Sequence, residues 1–332
     1  MCRPVSNFPT FATRVGSDLE FPSADQTQRL RAMTDDVEIL RVFALADAKA
    51  RAFAALETDA KIRNPDTLAR EFLAADQRPD QTRPEKITQF RTDLETALPG
   101  AYHFQNARTF HVDACLRQAI EDGFRQVVLL GAGFDTRAHR LSRPEHDVRF
   151  FEVDFPGIQF EKKATLEHQP DTGSGNIHYV PSDFDPDNLP NIVDEPGYDL
   201  SEPTFFIWED RFCTLTDEDF DAILEFVSHH SVPDSRIVFD YVPRSMVDGS
   251  VAYYGGEEFR AFMAQSGRPL SFGIEDRNLR RFLAQRNFEL TSLITSQDLE
   301  NRYLIDSAGT LHGHVPGYVR IAEATITRRR GT

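Results

Sequence analysis

The sequence predicts an α/β fold, a mostly parallel sheet with helices on both faces, preceded by a helical cap. Three observations predict it. From Phe110 onward, short apolar runs recur between stretches of helical periodicity. One run, Val127-Val128-Leu129-Leu130, is closed by Gly131, as expected of a strand buried on both faces. A second, Phe150-Phe151-Glu152-Val153, ends on Asp154, so a glycine turn and an acid close successive strands.

Residues 1–28 mix Pro, Ser, Thr and Asn with isolated Phe and read as an arm. Over residues 30–56, Val37, Leu40, Phe43, Ala44 and Phe53 recur at steps of three and four or their multiples, which predicts a helix. Asn64-Pro65 breaks it, and a second helical stretch covers 68–75. Pro79, Pro84 and Pro99-Gly100 then punctuate the chain. Residues 1–100 are thus read as an arm and cap over a site, and residues 101–332 as the main domain, with a substrate-binding insertion in its C-terminal part. In that domain a helix over 110–121 is ended by Asp122-Gly123. Further strands are read at 177–180, 204–208 and 236–241, and a helix at 217–229. Thr216 is a natural N-cap for that helix, and Asp217, Glu218 and Asp219 favour its positive dipole end. No internal repeat is found.

Lys and Arg number 37 against 53 Asp and Glu, a net charge of −16. Such a surface repels phosphate backbones and anionic lipid, which argues against nucleic-acid and membrane partners. The three cysteines, Cys2, Cys115 and Cys213, lie far apart and form neither a metal-ligand spacing nor a disulfide framework. No apolar run is long enough to cross a bilayer, and no signal-peptide pattern opens the chain. The expectation is a cytoplasmic protein without a bound metal, of open oligomeric state.

The segment 127–135 reads VVLLGAGFD, a buried strand running into a G-x-G turn. Gly131 and Gly133 let the backbone bend tightly and approach a ligand. Asp154, about twenty residues on, is placed to accept hydrogen bonds from both hydroxyls of an adenosine ribose. A dinucleotide fingerprint would carry Gly or Ala three residues after Gly133, where this chain has Thr136. Asp135 would also push negative charge toward a pyrophosphate, whereas it suits the cationic methionine portion of S-adenosylmethionine. These residues disfavour NAD, and with it a nicotinamide-dependent oxidoreductase, and favour the sulfonium cofactor.

The chain also resembles the leucine carboxyl methyltransferase family, including its small-molecule members. The likeness rests on Ala107-Arg108-Thr109 with Asp113, on QVVLLGAGFDTRAHRL (126–141), FFEVDFPGIQFEKKATL (150–166), PSDF (181–184) and PTFFIWED (203–210), and on a later stretch, 266–290. It covers roughly residues 99–327 and implies a Rossmann-like class I methyltransferase fold. It further implies that Arg108 holds the carboxylate of the methionine portion, for which a guanidinium offers a bidentate match. Gly131 would line the cofactor, Asp154 bind the ribose, Asp183 accept from the adenine amine and Phe184 stack on the base. Glu209 would sit near the methionine end. Read without the resemblance, Arg108 is a surface charge, Asp183 caps a turn, and Phe184 and Trp208, the single Trp, are core. In one place the chain departs from the family pattern. The Gly that usually follows this Glu, and the apolar run ending in Tyr-Leu, are replaced by Asp210-Arg211-Phe212-Cys213-Thr214-Leu215. That change bears on the acceptor pocket and favours a small-molecule acceptor over a protein C-terminus.

Methyl transfer is an in-line displacement that depends on alignment of nucleophile and methyl group. A carboxylate acceptor is ionised at neutral pH and requires no general base, while a hydroxyl usually requires one. His111, His312 and His314 are candidate bases, though none stands out from the ten histidines. Tyr253 and Tyr254, before Gly255-Gly256, are candidate acceptor contacts, and Glu209 and Tyr254 the candidate catalytic residues. The expected function is O-methylation of a small molecule, with a carboxylate favoured. Two alternatives are a protein C-terminal leucine carboxyl methyltransferase and a non-catalytic regulatory protein that binds S-adenosylmethionine.

Overall fold

A computed structural model describes residues 24–80, 82–142, 147–167, 169, 176–184, 189–210 and 215–327. Most of the expected arm, and the segment 211–214 after Asp210, lie outside the described residues. The chain divides into two units, Met1–Ile39 and Leu40–Thr332. The boundary falls within the first helix, α1 (Ala24–Ala54), so residues 40–100 belong to the same unit as the sheet.

The five strands expected from the sequence are present as β1 (Gln126–Leu130), β2 (Arg149–Asp154), β3 (Asn176–Pro181), β4 (Thr204–Trp208) and β5 (Arg236–Tyr241). All five run parallel; β7 (Arg320–Ile326) pairs antiparallel with β5, and β6 (Phe288–Thr295) pairs antiparallel with β7 at the sheet edge. The order across the sheet is β3-β2-β1-β4-β5-β7-β6. Alternation along β1 sends Val127 and Leu129 into one core and Val128 and Leu130 into the other. On the first face lie α3 (Ala101–Glu121) and α10 (Ser296–Tyr303), with Leu116 and Leu299 buried. On the second lie α6 (Asp217–His229) and α9 (Asp276–Ala284), with Phe220 and Leu279. Both faces being covered, the inner strands β1 and β4 are apolar after their first residues, Gln126 and Thr204. Chain order reverses between β1 and β4, so a crevice opens beyond their C-terminal ends, where open α/β sheets bind ligands.

Three local readings change. The stretch 68–75 is only a 3₁₀ turn, Ala69–Phe72, because the Asp66 carboxylate accepts the Ala69 N–H at 3.0 Å and turns the chain there. The helix expected at 110–121 begins at Ala101, following Gly100 at φ 85°. Its extra turns bury polar residues, His103, Gln105, Asn106 and Arg108 among them, so no apolar stripe announces them. The Pro-punctuated stretch holds α2 (Pro84–Ala97), started by Pro84 in the first turn and burying none of its residues. Shorter helices complete the unit: α4 (Arg137–Leu141), α5 (Pro156–Leu166), α7 (Arg244–Val247) and α8 (Gly256–Gln265). Among the described residues no helix is long and apolar enough to cross a membrane.

Leu129 is 1% exposed on the interior strand β1, between β2 and β4. Leu129→Ala is expected to lower unfolding free energy by about 2–5 kcal/mol in urea titrations. Val42→Ala, at a side chain 51% exposed on α1, is expected to stay within about 0.5 kcal/mol of the parent.

Candidate functional site

Beyond β1 the chain turns back on itself through left-handed backbone at Gly131 (φ 71°) and Gly133 (φ 46°). The N–H groups of Gly131 and Ala132 both donate to the Val153 carbonyl, at 2.9 and 3.1 Å, which pins the turn to the end of β2. One oxygen of Asp154 accepts the Gly133 N–H at 2.5 Å and the other accepts the Phe155 N–H at 2.7 Å. The acid at the end of β2 therefore sets the shape of the turn at the end of β1. A Cβ on Gly133 would lie 3.3 Å from the Cβ of Ala44, so α1 passes directly over the turn. Leu40, Phe43, Ala44, Asp47 and Arg51 of α1 close one side of a cavity of about 810 Å³, mouth included. Two contacts hold this part of α1 down. Arg41 makes a two-point pair with Glu161 of α5, at 2.6 and 2.8 Å. Arg51 donates to Asp66 and to the Phe134 carbonyl, each at 2.8 Å.

The cavity floor is a buried network of charge. Arg108, on α3, donates to Asp240 at 2.9 Å, to Gln105 at 2.6 Å and to Asp210, and its Nε lies 3.3 Å from Glu209. Arg137, on α4, donates to Asp113 at 2.8 Å, to Asp135 at 2.6 Å and to Glu209. Arg140 donates to Asp113 at 2.8 Å and to the Thr136 hydroxyl at 2.9 Å, and that hydroxyl donates to Asp66 at 2.6 Å.

Acids outnumber arginines here, and buried like charges cannot all ionise. Burial, reinforced by Asp210 and Glu209, pushes the Asp240 carboxyl up to about 8 against the pull of Arg108. Burial and Asp210, with which it shares a hydrogen bond, also hold Asp47 well above the carboxylate range. Burial raises Glu209 as well, against Arg137 and Arg108. Asp210 goes the other way. Burial opposes its charge, but Arg108 outweighs it and draws the carboxyl down to about 2. Asp135 is likewise held below its ordinary value, burial being overcome by Arg137, Lys162 and Arg51.

Six of the residues singled out from sequence meet at this cavity: Arg108, Gly131, Gly133, Asp135, Asp154 and Glu209. Asp135 does so as the partner of Arg137, whose N–H and guanidinium it accepts. Asp183 and Phe184 follow β3 at the same end of the sheet, where the Ser182 N–H donates to the Asp154 carbonyl at 3.0 Å. Phe184 takes φ 59° and its ring lies 5.7 Å from that of Phe155, but neither residue lines the cavity. Tyr254 is elsewhere. Its hydroxyl donates to Glu95, and it borders a second cavity with Ser296, Glu300 and His314. The loop after α7 folds toward α2 and α10, which takes Tyr254 away from the glycine turn. Tyr253 meets Ser245 at 2.9 Å. His111 lies 3.0 Å from the Tyr303 hydroxyl, and burial brings its imidazole down to about 4. His312 lies 3.1 Å from Arg91, and His314 3.3 Å from Glu300. Trp208 packs on Phe220, 4.5 Å between ring centres, as part of the core.

Sequence reasoning missed Asp47, Arg51, Asp66, Arg137, Arg140 and Asp240 as parts of this network. Asp240 left a signal, a lone acid in the apolar strand Arg236–Tyr241. The others lie in a helix or connector where a charged residue is ordinary.

Comparison with known proteins follows this geometry closely. The sequence profile of a family described as leucine carboxyl methyltransferase matches residues 44–228, which include the glycine turn, Arg108, Asp154 and Glu209. A protein of Mycolicibacterium paratuberculosis is 33% identical over 168 residues, 50% of this chain and 54% of its own. One of Mycobacteroides abscessus is 30% identical over 158 residues, 48% of this chain and 49% of its own. Both carry names that provisionally assign them to the S-adenosyl-L-methionine-dependent methyltransferases. The chain spans about half the length of these relatives. Among solved structures, a DUF574-family protein from Streptomyces avermitilis superposes with a TM-score of 0.52 at 16% identity, covering 72% of this chain and 90% of that one. A protein from Thermobifida fusca, titled provisionally as a methyltransferase, gives 0.52 at 12% identity, covering 83% and 97%. At such identities the likeness concerns the fold.

The buried acids make stability depend on pH. Unfolded carboxyls titrate near about 4, whereas Asp240 titrates at about 8 and Glu152, buried beside Lys162, at about 7. Both bind a proton more tightly when folded, so their contribution is full below the unfolded value and is lost as pH rises through the folded one. Asp113 works oppositely. Burial disfavours its charge, but Arg140 and Arg137 keep its carboxyl below the ordinary value, and its contribution is lost in acid. Urea midpoints are expected to fall between about pH 5 and pH 9, and Asp240→Asn, which fixes the neutral form, to flatten that fall.

Proposed function

The chain belongs to the leucine carboxyl methyltransferase family, and from that premise we propose that its cavity binds S-adenosylmethionine and serves methyl transfer to an oxygen of a small molecule. One observation carries the reading: the glycine turn, the Asp154 carboxylate that shapes it, Arg108 and Glu209 converge on one cavity at the switch between β1 and β4.

The residues fit this cofactor better than a dinucleotide. Thr136 is buried and hydrogen-bonded to Asp66 and Arg140, so the helix after the turn does not pack close under a pyrophosphate as a glycine would allow. An acid-rich network, even with Asp47 and Asp240 shifted upward by burial, suits a methionine end that carries an ammonium and a sulfonium. Asp154 would hold the ribose, Asp183 and Phe184 would flank the adenine, and Gly131 and Gly133 would admit the ligand close to the backbone. Arg108 would hold the methionine carboxylate, and Glu209, shared between Arg108 and Arg137, would face the ammonium. The cofactor supplies an activated methyl group; the chain's own residues hold it, align it and keep water out.

The acceptor is a small molecule with a carboxylate favoured over a hydroxyl. Among the described residues that line the cavity there is no histidine, and an ionised carboxylate requires no base. The cover provided by Leu40, Phe43 and Ala44 supports a compact acceptor rather than a protein C-terminus.

Calorimetric titration with S-adenosylmethionine, S-adenosylhomocysteine and NAD tests the reading. The first two are expected to bind saturably and NAD not at all, with Asp154→Ala weakening both by about tenfold or more. Absence of binding by either adenosyl ligand overturns the proposal. In an acceptor screen, labelled product that mild base fails to cleave would count against the carboxylate.

A further inference from the structure

Arg108 is met by three acids from the sheet ends, and they are not held alike. Asp240 sits inside β5 with its side chain 2% exposed. Glu209, 14% exposed, is shared with Arg137. Asp210 is 32% exposed, lines the cavity and lies past the end of β4. Leu130 and Trp208 are register partners, so the glycine turn and the pair Glu209-Asp210 leave the sheet side by side.

The backbone at Asp210 is left-handed, φ 58°. Glycine takes that conformation without strain, whereas a side chain there is an addition that the turn itself does not require. Its carboxylate is directed onto the guanidinium, making the contact with Arg108 from the open side. The position of the backbone is fixed separately, since the Asp210 N–H donates to Asp240 at 2.9 Å. The side chain can therefore turn without disturbing the strand end.

We propose that Asp210 is an internal substitute for a ligand carboxylate: it neutralises Arg108 in the free protein, and the carboxylate of the cofactor's methionine end takes its place on binding. The inference rests on the reading of the cavity as an S-adenosylmethionine site. Exchange of one carboxylate for another keeps the buried guanidinium paired throughout, which matters because an unpaired buried charge is strongly unfavourable. It also makes Asp210 a determinant of affinity and selectivity. A ligand with a carboxylate replaces what it displaces, and one without leaves Asp210 in place. Asp47, on α1, shares a hydrogen bond with Asp210, so the exchange is felt in the helix that covers the cavity.

The test compares the parent protein with Asp210→Asn and Asp210→Gly by calorimetry, using two probes. S-adenosylhomocysteine carries the amino-acid end; 5′-methylthioadenosine shares its adenosine and thioether but lacks that end. Asn tolerates the left-handed backbone and Gly favours it, so at least one variant is expected to fold. The expected result is S-adenosylhomocysteine binding tightened by about tenfold or more in both variants, with 5′-methylthioadenosine unchanged. Unchanged or weakened S-adenosylhomocysteine binding in the variants, with the parent still binding it, overturns the exchange and leaves the cofactor reading intact. Equal tightening of both probes also overturns it, since the effect would then owe nothing to the carboxylate. Binding of neither probe by any of the three proteins overturns the cofactor reading together with this one.

Discussion

A guanidinium cannot be buried without an anion except at a cost of several kcal/mol, and the unit Leu40–Thr332 buries the side chains of Arg108, Arg137 and Arg140 at 5 to 8% exposure. Much else follows from how those charges are met. Their partners come from several elements around the crevice: Asp47 from α1, Asp66 from the connector, Asp113 from α3, Asp135 from the turn after β1, Glu209 and Asp210 from the end of β4, and Asp240 from β5. Each arginine has more than one acid partner, so removing an arginine would leave several buried acids without a counter-charge. The network therefore fixes the cap and the strand ends relative to one another, and a ligand entering the cavity meets a preformed arrangement.

What could be read from the sequence was what is local. Strands β1 to β5 announce themselves as short apolar runs, and the glycine turn and Asp154 close two of them within a single stretch of chain. The antiparallel β6 and β7 were not proposed, because β6 interleaves Glu289, Thr291 and Ser292 with its apolar positions and so carries no unbroken apolar run. The first turns of α3 were hidden by the polar groups they bury. The charge network was hidden for a different reason. Arg108 reaches Asp240 across 132 positions and Arg137 reaches Glu209 across 72, and pairing at such distances leaves no spacing to read. Arg108 could be named only through resemblance, whereas Glu209 is also marked by its place at the C-terminal end of a parallel strand. Asp47 and Asp66 had neither a motif nor a period to mark them.

The departure after Glu209 has a physical form at its first position. At Asp210, where glycine is the residue expected from the resemblance, the backbone is left-handed, a conformation open to glycine and better tolerated by Asp than by most residues. Tyr254 shows the converse. Its place after β5 suggested an acceptor-binding insertion, but Gly255 beside it serves close packing, since a Cβ there would meet the Pro99 carbonyl at 2.4 Å.

Carboxylates and arginines in this number also explain why acid–base state and occupancy belong to one system. Burial holds Asp240 above the carboxylate range with help from Asp210 and Glu209, and holds Asp47 there with help from Asp210. Movement of Asp210 away from Arg108 removes one of the two influences, besides burial, that hold Asp240 neutral, and one that holds Asp47 neutral. An incoming carboxylate restores the influence, and a ligand without one does not. The upward shift of both acids is thus tied to which anion sits on Arg108, so that the cavity carries its own counterpart of a ligand carboxylate.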